Sequence, residues 1–234
     1  LGDLGDPDWV VLAWVVGGLI ALAGAVSYGR LIQAMPESGG EYLFLSRAAH
    51  PLLGFIAGWV SLIAGFTGAI AFAATALESY TMPEGTRPSW LPPDTIAVSS
   101  ILICGVFHSV RPRVGSVLQN TFVVLKLGLL LGFLLYAVSK IPTDIWQEYP
   151  LSNRNQSGAW PGFVAFANSL VWISLSYSGF NAAVYVAEEV PQVKKIVPKA
   201  LISGTLVVMV FYVLLNGVFV YAPPSDAIAG RPDV

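Results

Sequence analysis

The sequence predicts an all-α integral membrane protein built from several spanning helices, and three observations carry that. Apolar residues make up 55% of the 234 and charged residues only 11%, against roughly 25% charged in a soluble domain. Mean hydropathy is +0.69. The uncharged stretches match the length a bilayer needs, about 20 mostly apolar residues, and short polar segments separate them.

Six spans are expected within one transmembrane domain over 1–234, at about 9–30, 51–80, 95–110, 114–139, 161–187 and 198–222. The first is uncharged from Trp9 to Gly29 and is stopped by Arg30 and then Pro36, which cannot continue a helix. The second is uncharged from Pro51 to Leu77 and ends at Glu78, where a charge can reach water. The third, Thr95–Val110, is short for a span, but the alternation of charge between loops requires it. The fourth, Val114–Ser139, carries Lys126 in its middle. The fifth is uncharged from Phe163 to Ala187, and the sixth from Ala200 to Ala222.

These spans sort the loop cations onto two sides. Arg30, Arg47, Arg111, Arg113, Lys194, Lys195 and Lys199 outnumber Arg87, Lys140, Arg154 and Arg231, so the first side is cytoplasmic by the positive-inside rule. Trp9, Trp90, Trp146 and Trp160 then fall at the outer boundary, as an interfacial aromatic belt does. Asn155-Gln156-Ser157 is a glycosylation sequon on that side. Gly54-x-x-x-Gly58 and Gly128-x-x-x-Gly132 permit close helix packing, though glycine is also simply frequent in membrane helices.

Several functions are disfavoured. A net charge of −2 argues against nucleic acid as a partner. Cys104 is the single cysteine, and with only His50 and His108 beside it no metal site has sensible spacing. No nucleotide-binding motif and no paired acid, base or nucleophile appears, so neither a cofactor nor an enzyme is expected. The chain begins at Leu1, its first methionine is Met35, and no signal peptide is visible. It reads as an internal fragment.

Two features within the spans point to chemistry. Ser174, Ser176, Tyr177, Ser178, Gly179, Phe180 and Asn181 form a polar, glycine-containing notch in an otherwise apolar run. Polar or irregular backbone at membrane depth persists only where protein or a watery cavity satisfies it. A helix broken at Gly179 offers half-helix ends whose partial charges suit the carboxylate and ammonium of a zwitterion, with Tyr177 and Asn181 adding side-chain hydrogen bonds. The plainer reading is a continuous helix whose serines bond one turn back. Lys126 is the second feature. A buried cation at mid-membrane costs about 2.5–3.5 kcal/mol on insertion scales, and it can replace a metal cation or load and unload a proton. Otherwise it is paired for structural reasons alone.

The inner loops are more specific than their physics. Ala25-Val26-Ser27-Tyr28 followed by Pro36-Glu37-Ser38-Gly39-Gly40-Glu41-Tyr42, then Gln119-Asn120 with Lys126, then Ser176–Asn181, and finally Glu188-Glu189-Val190 with Val197-Pro198-Lys199-Ala200, run through nearly the whole chain. In this combination the chain resembles the amino acid–polyamine–organocation superfamily, nearest its L-type amino acid transporter-like permeases. The resemblance implies helices two to seven of a five-plus-five inverted-repeat (LeuT-like) fold in the plasma (inner) membrane. It implies an amino acid substrate moved by alternating access between broken helices one and six. It also implies that Lys126 stands where sodium-coupled relatives bind a cation, which favours sodium-independent exchange or proton-coupled uptake. Ser38, Gly39, Gly40, Glu41, Glu188 and Glu189 map to the family's cytoplasmic loops. Arg30, Leu175 and Phe180 depart from the pattern, where an acidic residue, Phe and Trp are usual. The outer loop 82–94 lacks the cysteine that links eukaryotic members to a heavy chain, so no disulfide-linked heavy chain is expected. Two other readings stay open: a sensor that binds an amino acid without net flux, and a truncated remnant without function.

Overall fold

Asp8 in the first turn and Pro7 at its start favour a helix from Pro7, since acidic groups suit the positive helix end and proline lacks only a donor that would go unpaired there. The computed structural model describes residue 4 and residues 7–83, 85–140 and 159–221, and no strand occurs among them. Trp146 and the Asn155 sequon lie outside the described residues. Among the described residues eight α-helices run in order: α1 (Pro7–Ala34), α2 (Gly40–Ala48), α3 (Pro51–Val60), α4 (Gly68–Thr81), α5 (Thr95–Val110), α6 (Pro112–Lys140), α7 (Ala159–Ser176) and α8 (Val193–Tyr221). A π-helical segment, Ser61–Thr67, joins α3 to α4, and a 3₁₀ segment, Ala182–Glu189, precedes α8.

Among the described residues four stretches are long and apolar enough to cross a membrane: Pro7–Ala34, Pro51–Thr81, Arg113–Ser139 and Val193–Tyr221. Thr95–Val110 and Gly162–Ser176 are apolar but shorter. The chain divides into two compact units, Leu1–Gly40 with Leu129–Val234, and Glu41–Gly128.

In the first unit α1 runs antiparallel to α8. Ala13, Gly17, Gly18, Ala21, Ala25 and Gly29 are buried along α1, and this small-residue face lets neighbours approach closely. A Cβ on Gly17 would lie 2.6 Å from Ile173 of α7, and one on Gly18 would lie 2.5 Å from Met209 of α8. Lipid tails are as apolar as the helices, so such close van der Waals packing, rather than a hydrophobic drive, holds membrane helices together. The sequence reading selected two other glycine pairs and missed this face. Leu134 of α6 packs on Leu215 and Val218 of α8.

The two ends of the α1–α8 pair are tied by polar bonds. The Tyr221 hydroxyl donates to the Asp8 carboxylate at one end. At the other, Gln33 Nε2 donates to the Lys194 carbonyl at 3.3 Å. That carbonyl lies four residues before Pro198, which sits inside α8 and has no N–H to give it. Gln33 therefore takes up an acceptor that proline leaves open, and α8 starts at Val193, ahead of the expected boundary at 198.

In the second unit, α2 is an element the sequence reading did not foresee, because nine polar-mixed residues fit neither a span nor a loop signal. His50 Nδ1 accepts the Leu52 N–H at 3.2 Å and caps α3, with Pro51 at the first helical position. Gly54 meets α2 at very short range: its Cβ would be 2.5 Å from the Tyr42 carbonyl oxygen. Gly58 faces the Tyr42 ring, where a Cβ would stand at 3.4 Å. For Gly128 and Gly132 nothing lies within 4 Å among the described residues.

Glu78 differs from expectation. Its position at a helix end pointed to solvent, but its side chain is buried, at 5% exposure. The carboxylate accepts the Asp94 and Ala97 N–H groups, both at 2.9 Å, and pairs with Arg87. Arg87 Nη1 in turn donates to the Pro92 carbonyl at 2.7 Å. Asp94 makes no side-chain cap for α5, so Glu78 supplies from α4 the acceptor that the open N–H groups of α5 need. Glu78→Gln keeps the shape but removes the charge. It is expected to lower the thermal unfolding temperature of the purified protein, and an unchanged melting curve would contradict the capping role.

Candidate functional site

The polar notch breaks the helix. α7 ends at Ser176, residues 177–181 form turns, and Gly179 takes φ +92°, a conformation that only glycine adopts without strain. The 3₁₀ segment Ala182–Glu189 then follows, with its own non-helical kink at Val186. The expected single span over 161–187 is thus an α-helix, a turn and a 3₁₀ segment.

The break leaves polar groups open. Beyond the end of α7, Ser178 N–H bonds to Leu175 O and Ala182 N–H to Gly179 O. The N–H groups of Gly179 and Phe180 have no acceptor among the described residues. The Ser176 and Ser178 side chains are exposed, and their hydroxyls make no hydrogen bond among the described residues. Ser174 behaves differently: its hydroxyl donates to Val171 O at 2.7 Å, one turn back on its own helix. Asn181 is half-buried at the start of the 3₁₀ segment.

Aromatic residues brace this segment. Tyr177 is buried at 5% exposure, and its hydroxyl donates to the Trp14 carbonyl at 3.1 Å. The side-chain bond that Tyr177 was expected to offer a ligand is therefore used within the fold. Tyr212 of α8 donates to the Ser176 carbonyl at 3.1 Å, taking up an acceptor freed where the helix stops. The rings of Tyr177 and Tyr212 lie 5.1 Å apart, and those of Trp14 and Tyr212 lie 5.3 Å apart, both edge-on. Such pairs add about 0.5–1.5 kcal/mol each beyond their burial. Phe180 stands edge-on to Tyr28 at 5.7 Å and against Gly24, whose Cβ would lie 2.7 Å from its ring. A recess of about 420 Å³ opens between the broken segment and α8, bordered by Ser176, Gly179, Leu201, Thr205 and Tyr212.

The residues expected in cytoplasmic loops divide. Ser38 Oγ accepts the Glu188 N–H at 3.0 Å, joining the loop after α1 to the end of the 3₁₀ segment. Gly39 and Gly40 have φ +137° and +55°, and a Cβ on Gly40 would stand 2.6 Å from the Tyr185 ring. Glu189 is exposed, and Glu41 lies in the first turn of α2. Lys126 belongs to the second unit, on α6, with its side chain exposed and no ion pair among the described residues.

Sequence reasoning missed Trp14, Met209 and Tyr212. The signal available was the run Gly17-Gly18, Gly24 and Gly29, whose spacing of a few residues puts one small face along α1.

The amino acid permease family model matches residues 4–233. The chain is 25% identical over 226 residues to the b(0,+)-type amino acid transporter 1 of Mus musculus, covering 94% of this chain and 46% of that protein. It is 25% identical over 236 residues to the large neutral amino acids transporter small subunit 2 of Oryctolagus cuniculus, covering 99% and 44%. It is 24% identical over 219 residues to the Asc-type amino acid transporter 1 of Homo sapiens, covering 91% and 41%. The chain thus spans less than half the length of the curated relatives it matches. With apolar helices long enough to span a bilayer, and a family model matched over almost its entire length, this chain belongs to the amino acid permease family and is a multi-pass membrane protein.

Proposed function

We propose that this chain forms the part of an amino acid permease that holds the substrate at the break Ser174–Asn181, and that the whole protein moves amino acids across the plasma membrane by alternating access. The observation that carries this is the open pair of N–H groups at Gly179 and Phe180 beside the unpaired Ser176 and Ser178 hydroxyls. Adjacent backbone donors at the start of a helical segment suit a carboxylate. The exposed hydroxyls, together with the carbonyls left where α7 stops, suit an ammonium group. The relatives' names, all amino acid transporters, support the same substrate class. Tyr177, Phe180 and Tyr212 act as positioning residues that keep the break open. Ser38, Gly39, Gly40, Glu188 and Glu189 form the inner junction, through which movement of the broken segment reaches the loop after α1.

Lys126 serves as the fixed or titrating cation of the cycle, and transport is sodium-independent exchange or proton-coupled uptake. The test is radiolabelled amino acid uptake by the full-length permease in proteoliposomes, with and without sodium and across pH. Wild-type uptake is expected to persist without sodium. Lys126→Ala should cut it by roughly tenfold or more or shift its pH profile, since an ionisable group at mid-membrane is costly to insert and is a functional candidate by default. Uptake that requires sodium, or an unchanged Lys126→Ala profile, would reject this mode. Absence of uptake with retained amino acid binding would instead identify a sensor.

A further inference from the structure

The inner end of the α1–α8 pair carries a second recess, of about 350 Å³, separate from the broken segment. Its rim holds four cations: Arg30 from α1, and Lys194, Lys195 and Lys199 from α8. All four side chains are exposed, and none forms an ion pair among the described residues. Among the described residues no acidic side chain lines the recess. Below the rim the surface is apolar. Gly29 and Pro198 are buried at its base, where a Cβ on Gly29 would meet Pro198 Cβ at 3.2 Å, and Val26 and Ile202 continue it along the two helices.

We propose that this recess binds the headgroup of an anionic phospholipid from the cytoplasmic leaflet. A cluster of Lys and Arg at the cytoplasmic end of membrane-spanning helices is where a phosphodiester is held, and basic pockets between such helices take acidic headgroups. The shape favours a lipid over a soluble anion. Cations crowd one rim and bare helix surface runs from it toward the middle of the spans, so an amphiphile meets charge with its head and Val26 and Ile202 with its chain. Close approach at Gly29 and Pro198 keeps the base free of long side chains. Arg adds a planar fork of donors that pairs with a phosphate through two bonds, and three lysines supply point charges around it. Lys194 is held in place through its backbone, since its carbonyl is bonded by Gln33. The binding depends on no property of the transport site.

The test uses the full-length permease in a nonionic detergent. Retention of phosphatidylglycerol is measured against phosphatidylcholine of the same acyl chains by native mass spectrometry, with inorganic phosphate as competitor. Phosphatidylglycerol is expected to be held at least about tenfold more strongly, given four cations near one headgroup, and phosphate at equal concentration should not displace it. Substituting Arg30→Gln, Lys194→Gln, Lys195→Gln and Lys199→Gln together should erase the preference. Substituting Arg47→Gln, Arg111→Gln and Arg113→Gln, which lie on the same predicted side but outside the recess, should leave it. If the fourfold variant does not fold, Lys195→Gln with Lys199→Gln should still reduce the preference severalfold. Equal retention of both lipids, displacement by phosphate alone, an intact preference in the recess variants, or equal loss in the Arg47–Arg111–Arg113 variant would each overturn the proposal.

Discussion

Gly179→Leu in the full-length permease is expected to abolish substrate binding and uptake while leaving the protein in the membrane. The reason is conformational. Gly179 sits at φ +92°, where a side chain costs about 1–3 kcal/mol. The chain can relieve that strain by turning residue 179 back toward helix, which would join α7 to the following segment and close off the N–H groups of Gly179 and Phe180. The alternative is to keep the turn and place a leucine side chain in the open space beside the break, since nothing lies within 4 Å of a Cβ there. Either outcome removes polar groups from the ligand. Gly179→Ala separates the two effects, because it brings the strain with almost no added bulk. A loss of roughly tenfold in affinity for alanine, at about 1.4 kcal/mol per factor of ten, against complete loss for leucine, is the expected pattern. Normal affinity in the leucine variant would show that ligand binds elsewhere.

Gly54→Val should prevent stable folding of the second unit, whereas Gly58→Ala should be neutral or slightly stabilising. Both glycines belong to one Gly-x-x-x-Gly motif, yet they face different atoms. A Cβ on Gly54 would stand 2.5 Å from the Tyr42 carbonyl oxygen and 2.8 Å from the Ser46 nitrogen, and would overlap the Ser46 hydroxyl. Two of these are backbone atoms, so α2 and α3 must move apart as bodies. Overpacking costs typically about 1–3 kcal/mol, and more where the neighbour cannot yield. At Gly58 the nearest atom is a ring carbon of Tyr42 at 3.4 Å, an ordinary contact. Alanine there also recovers the roughly 0.5–1 kcal/mol that glycine loses inside a helix. Expression and thermal unfolding of the two variants in detergent would decide this. Equal stability of both would mean that α2 does not pack on α3 as described.

The two glycine cases show where reading the chain alone reaches its end. The Gly54 and Gly58 spacing is visible in the sequence and suggests close packing. Which glycine is indispensable depends on the turn at Ala49 and His50, which folds α2 back onto α3. The face formed by Gly17, Gly18, Gly24 and Gly29 was equally visible, but its importance lies in partners more than a hundred residues away, among them Ile173, Phe180, Pro198 and Met209. Glu78 is a sharper instance. Its local sequence is that of a helix end, and only the return of the chain at Asp94–Ala97 turns it into a buried cap for α5.

By itself the sequence determined the membrane class, the approximate helices and the place of the notch, because each follows from local composition: long apolar runs, sparse charge, and polar groups with glycine at membrane depth. The family resemblance was legible for the same reason, in short motifs. Only the tertiary structure decided which notch residues are open and which are used. Ser174 turns back on its own helix and Tyr177 reaches Trp14, while Ser176 and Ser178 remain available. It also decided that Tyr212 completes the break, and that Arg30 and three lysines of α8 share one recess. Hydrogen-bond partners and convergent charges are set by segments distant in sequence, and no local pattern encodes their meeting.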